Sequence, residues 1–225
     1  MRTTAALLFL LFALPLFADD PNVRNGHVTR VRASGDLLSQ VTAARGWVGY
    51  ELPLFEPRQI QCNGDSSWWD EGAKTDVLAM LYRVKDGAID SIRVAGPDCS
   101  FNAHDEPVTW IENVGGREAT DVLISVAKHN KSSRIRGQAL FWLGMQAGAK
   151  AAQALKNAVD DDPESDVKAR AVFGISQLPG DQSIPLLIDL MKTHRLKEVR
   201  RKAAFWLSQK NDPRAVAAIE EILLR

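Results

Sequence analysis

One pattern governs the second half of this chain. Ile135, Ala139, Leu140, Phe141 and Leu143 recur 32 residues later as Val167, Ala171, Val172, Phe173 and Ile175, and 32 later again as Val199, Ala203, Ala204, Phe205 and Leu207. Apolar residues three and four apart mark amphipathic helices, and a fixed period of this length marks a stack of helical hairpins. Each first helix is followed by a break: Gly148, Pro179-Gly180, or Asn211-Asp212-Pro213. A second helix then carries the apolar seams Ala152 with Leu155, Ile184 with Leu187, and Val216 with Ile219. A lone hairpin cannot bury both faces, so the units must stack. The expected repeats are 131–162, 163–194 and 195–225, preceded by a cap helix at 117–130 that reads as the second helix of a degenerate unit.

Upstream of residue 117 the period changes from about three and a half to two. Asp36 to Arg45 reads as a short helix stopped at Gly46. Gly46 to Leu52 and Val77 to Val84 are β-branched and aromatic, Lys85-Asp86-Gly87 supplies turn chemistry, and Ala88 to Val94 returns as a partner strand. Val108 to Ile111 is a further candidate strand. The expected fold is therefore predominantly α: an α-solenoid preceded by a small mixed α+β module at 35–114 with an antiparallel sheet of three or four strands. Residues 19–34 are polar, contain Pro21 and Asn25-Gly26, and read as a flexible lead-in with a short strand at 27–31.

The first residues have the anatomy of a signal peptide. Arg2 precedes an apolar run from Ala5 to Ala18, too short for a bilayer span and followed by Asp19-Asp20. Cleavage after Ala18 would leave an exported protein, periplasmic or secreted, with no membrane span. An oxidising compartment gives Cys62 and Cys99, the only two cysteines, reason to pair. Two unpaired buried cysteines are the alternative.

Lys and Arg number 28 and so do Asp and Glu, so no global charge favours nucleic acid or an anionic membrane. His27, His104, His129 and His194 form no HExxH and no close pair, and no Gly-x-Ser-x-Gly elbow is present. No metal and no cofactor is expected. The acidic run Asp160-Asp161-Asp162-Pro163-Glu164 lacks EF-hand spacing and reads as a solvated turn between repeats.

At Asp166-Val167-Lys168-Ala169-Arg170-Ala171 and Glu198-Val199-Arg200-Arg201-Lys202-Ala203 the chain resembles HEAT-like repeats, over roughly residues 131–225. With Trp47-Val48-Gly49-Tyr50 ahead of the repeats, it is similar to secreted bacterial HEAT-repeat proteins of undefined function. The resemblance implies a scaffold and no reaction. Phycobilin lyases and some DNA glycosylases use related repeats, but no residue set here matches a catalytic motif of either.

The leading expectation is a noncatalytic scaffold with a protein partner. Arg136, Lys168 and Arg200 share one repeat position and must form a line along the stack, reinforced by Arg134, Arg170, Arg201 and Lys202. That line is either an anion-binding stripe or a ladder of ion pairs to acids such as Asp166 and Glu198 on adjacent repeats. Trp142 and Trp206 flank Gly174 in register, a large, small, large alternation expected to fill the core. Trp68 and Trp69, in a polar stretch near Cys62, are either a binding anchor or local packing. The competing expectation is an enzyme with its site between the N-terminal module and the first hairpin, where Asp70, Glu71, Asp98, His104 and Asp105 are the available acids and bases.

Overall fold

The structure, a computed structural model, describes residues 22–59, 74–96, 99–146 and 148–224. Strands β1 (Val23–Arg24) and β2 (Val28–Arg32) lead into helix α1 (Leu37–Ala43), then β3 (Gly46–Gln59), β4 (Lys74–Lys85), β5 (Ala88–Ala95), β6 (Phe101–Asn102) and β7 (Val108–Glu112). Seven helices follow: α2 (Gly116–His129), α3 (Ser133–Gln146), α4 (Ala149–Asp161), α5 (Ser165–Gln177), α6 (Gly180–Thr193), α7 (Lys197–Ser208) and α8 (Pro213–Leu223).

The main sheet has the order β2-β7-β3-β4-β5. The expected antiparallel meander is there as β3-β4-β5, but β7 joins β3 in parallel and β2 joins β7 in parallel. The short strand expected at 27–31 is present as β2, and Val28 to Arg32 saturate the ladder that β7 would otherwise present as an open edge. Strands β3 and β4 also run further than expected, to Gln59 and Lys74, past a register shift between Pro53 and Arg58. Prolines 53 and 57 hid that extension, since proline normally marks the end of a central strand.

Alternation in β3 and β4 divides the sheet into two faces. Val48, Tyr50, Leu52, Leu78, Met80, Tyr82 and Val84 point to one side, and Trp47, Ala79 and Leu81 to the other. The first face packs on α1, α2 and α3. Tyr50 and Tyr82 are fully buried there, and their hydroxyls satisfy one another at 2.8 Å. Burial raises the pKa of both phenols.

No gap separates module from repeats. A single apolar core runs from Leu37 through the sheet and on to Ala218 in α8. Polar contacts pin α3 to the sheet at both ends. Arg134 Nη2 donates to the Asp90 carbonyl at 3.0 Å, Asn130 Nδ2 to the Ile89 carbonyl at 2.7 Å, and Gln146 Nε2 to the Pro53 carbonyl at 2.9 Å. The β4-β5 bulge at Arg83/Val84 places Asp90 for this, with its carboxylate held at two points by Arg83.

In the stack, α3, α5 and α7 lie side by side, and α4, α6 and α8 are the second helices of their hairpins. Glycine sets the closest approach. A Cβ on Gly144 would meet the Gly174 carbonyl oxygen at 2.5 Å, and one on Gly174 would meet Leu155 at 2.5 Å and the Leu140 carbonyl oxygen at 2.8 Å. The small residue at 174 is thus required by backbone contact between α3 and α5, rather than by alternation with the indoles of Trp142 and Trp206.

Candidate interaction surface

The line of cations is present, and its role is at the helix ends. Arg136 Nη1 donates to the carbonyls of Asn130 and Lys131 at 3.0 and 3.3 Å, beyond the last turn of α2. Lys168 Nζ donates to Val159 and Asp160 at 2.7 and 2.8 Å, in the last turn of α4. Arg200 Nη1 donates to His194 and Arg195 at 2.7 and 3.1 Å, after α6. Each cation therefore caps the C-terminus of the preceding second helix, where carbonyls lack intrahelical partners and the helix dipole favours positive charge.

This corrects both readings of that line. Arg136 and Lys168 are 9% and 6% exposed, which leaves no open anion stripe through them. Nor are Asp166 and Glu198 the acids of a ladder. The one carboxylate in this row of contacts is Asp162, the C-cap of α4, which takes Arg136 Nε at 2.7 Å and Nη2 at 3.0 Å. Asp162 pushes the Arg136 pKa up, whereas burial pulls the Lys168 ammonium down.

A second repeated feature lies on the outer side of the first helices. Phe141 stacks on Phe173 with ring centroids 5.6 Å apart, and Phe173 meets Trp206 at 4.7 Å. Trp142 and Phe205 abut this row edge-on, at 5.0 Å to Phe141 and 4.9 Å to Trp206. Trp142 and Trp206 pack against the core without being enclosed by it, and Phe205 is 55% exposed. The two indoles, expected to fill the core, are packed against it and partly buried.

Cations border the row. Arg170 lies across Gly137 of α3, so closely that a Cβ there would overlap its Cδ, and among the described residues no carboxylate pairs with it. Lys202 reaches Glu198 only at 3.9 Å. Arg201 stands elsewhere: it occupies the position of Gly137 and Ala169, which faces the following repeat, and so it projects beyond the last one. Sequence reasoning grouped Arg170 with Arg201, and the structure separates them.

On the opposite side, between α2 and α4, a cavity of about 630 Å³ is floored by Ile124, Ala127, Ala154 and Ala158, with Lys128 and Gln153 on its rim. Its polar end is the Arg136–Asp162 pair, whose donors and acceptors are already engaged. Its lining carries no Ser, Thr, Cys or His side chain.

Trp68, Trp69, Asp70, Glu71, Asp98 and Cys62 lie outside the described residues. Cys99 is 4% exposed, within the cluster of Trp47 and Trp110. His104 and Asp105 take left-handed φ angles of 52° and 63° in a turn whose Ala103 packs on the sheet face away from the helices. They are therefore remote from the contact between module and first hairpin, which the shared core fills. Among the described residues no three His, Cys, Asp or Glu side chains group as metal ligands, and no helix is long and apolar enough to cross a membrane.

Comparison with known proteins agrees with the geometry. No curated protein matches the chain. The family described as HEAT repeats matches residues 105–176 and 161–225, together more than half the sequence. With helices stacked in register, repeated cationic caps and one continuous core, the chain belongs to the HEAT-repeat family.

Proposed function

We propose that this protein is a noncatalytic, exported scaffold that holds a protein partner on the outer face of α5 and α7. The observation that carries the reading is the rigid aromatic pair Phe173 and Trp206, bordered by Arg170 and Lys202. Partly exposed aromatics beside arginine are the composition of interface hot spots, and their rings and stem are already fixed by the repeat packing, so little ordering is needed on binding. Because no carboxylate among the described residues pairs with Arg170, the complementary partner is an acidic segment carrying apolar side chains. Export follows from the leader-like residues Met1 to Ala18, and a Cys62–Cys99 bridge from the compartment that export implies.

The test is proximity labelling in an exporting bacterium, followed by purified binding of the enriched partner to wild type, Phe173→Ala and Arg170→Glu. A loss of at least tenfold in affinity for Arg170→Glu, with unchanged circular dichroism, is expected. A partner that binds both variants as tightly as wild type removes this face from the reading.

A further inference from the structure

The cavity between α2 and α4 is bounded at both ends by ion pairs. At one end stand Arg136 and Asp162, engaged with each other. At the other, Lys150 of α4 reaches across to Asp121 of α2. From Asp121 to Lys128 the axis of α2 rises about 10 Å at 1.5 Å per residue, too short a run to seat a partner's helix lengthwise. A volume of about 630 Å³ is that of a pocket for a small organic molecule.

Three features of its lining define the ligand. The floor is apolar and built from short side chains, Ala127, Ala154 and Ala158, with Ile124 beside them. Lys128 on the α2 wall and Asp161 on the α4 wall are exposed and opposite in sign, and among the described residues neither makes a hydrogen bond or ion pair, with the other or with any third group. Lys156, the lysine next to Asp161 on α4, is held by Asp160. Between floor and rim, Gln153 Nε2 donates to Asn157 Oδ1 at 2.8 Å, which fixes the two amides side by side and leaves Gln153 Oε1 to accept and Asn157 Nδ2 to donate. One acceptor beside one donor is the complement of a peptide unit.

We propose that this groove binds a short free peptide, two or three apolar residues long with both termini charged. Its carboxylate meets Lys128, its ammonium meets Asp161, a peptide unit meets Gln153 and Asn157, and its side chains lie on the alanine floor. Charge complementarity selects this class. An apolar anion such as a fatty acid would engage Lys128 and leave Asp161 unmatched, an apolar amine would do the reverse, and an internal segment of a protein brings neither terminal charge. The groove shares no residue with the face of Phe173 and Arg170, so this proposal and the scaffold reading stand or fall independently.

NMR titration of the ¹⁵N-labelled full chain with leucylleucine tests it. Saturable shifts in the side-chain amide signals of Gln153 and Asn157 are expected, with a Kd of about 0.1–1 mM for a ligand of this size. N-acetylated leucylleucine, its C-terminal amide, and octanoate, an apolar anion without the ammonium, are each expected to bind at least fivefold more weakly. Lys128→Gln is expected to weaken the free dipeptide and leave the amide's affinity unchanged, and Asp161→Asn to do the same with respect to the acetylated form. Both positions are exposed, so folding is not at stake. No saturable shift up to about 20 mM, equal affinity for octanoate or for the blocked peptides, or wild-type affinity in both variants would overturn the proposal.

Discussion

The guanidinium of Arg136 grips the carboxylate of Asp162 at two points, 2.7 and 3.0 Å, while its remaining nitrogen closes the end of α2. One side chain thereby joins the C-termini of two successive second helices. Both partners are nearly enclosed, with 11% and 7% of their side-chain surfaces exposed. Removing one partner of a buried pair leaves the other charge without compensation, so Arg136→Ala is expected to destabilise the protein by about 3–5 kcal/mol. Urea unfolding measures this directly. A loss below about 1 kcal/mol, the level of an exposed pair, would show that the joint is held by packing alone.

Lys168 makes the corresponding contact with carbonyls and no carboxylate, and its pKa direction gives a pH signature. Burial lowers the ammonium pKa in the folded state. In the window between that lowered value and the unfolded lysine value, the unfolded chain binds more protons than the folded one, so the contribution of Lys168 to stability rises with pH. Lys168→Met removes this dependence. The stability deficit of the variant relative to wild type is therefore expected to grow as pH is raised toward 10.5 in parallel urea titrations. A deficit that shrinks over that range contradicts the assignment.

The repeats were legible because their signal is written three times. Ile135, Val167 and Val199 are all buried, as the 32-residue register requires. The role of the cations was harder to read, since a carbonyl acceptor has no residue type. Nothing in the sequence distinguishes Lys168 bound to the Asp160 carbonyl from Lys168 bound to the Asp166 side chain. Only the observation that each cation sits seven residues after the end of a second helix, at His129, Asp161 or Thr193, hints at the cap. In the N-terminal module the antiparallel hairpin announced itself through Lys85-Asp86-Gly87, whereas the parallel joins of β7 to β3 and β2 depend on long-range pairing that no local pattern encodes.

Gly144 and Gly174 mark where two helix backbones touch. Adding a methyl group at 144 drives it into the carbonyl and Cα of Gly174, at 2.5 and 2.9 Å, and backbone cannot rotate out of the way as a side chain can. Helix propensity alone favours Gly144→Ala by about 1 kcal/mol. Overpacking against backbone outweighs this, and a net loss of about 1–3 kcal/mol is expected. By contrast, Gly148 stands at φ 92° with open space around it, so Gly148→Ala tests backbone strain without any clash. Chemical denaturation of the two variants separates the causes, and a stabilised Gly144→Ala would show that α3 and α5 can part freely.

Cys99 is 4% exposed behind Trp47 and Trp110, while Cys62 belongs to the stretch joining β3 and β4. A bridge between them closes a loop of 37 residues, and the chain-entropy estimate for such a loop is about 3–4 kcal/mol. For a chain of this size that stabilisation corresponds to roughly 10 °C in melting temperature, lost on reduction. Intact mass of the protein from an exporting host is expected to lack residues 1–18 and two further hydrogens. The mature chain with both thiols free and a melting temperature indifferent to reductant would refute the bridge while leaving export intact. An unprocessed chain from the same host would refute export, and with it the compartment on which the bridge depends.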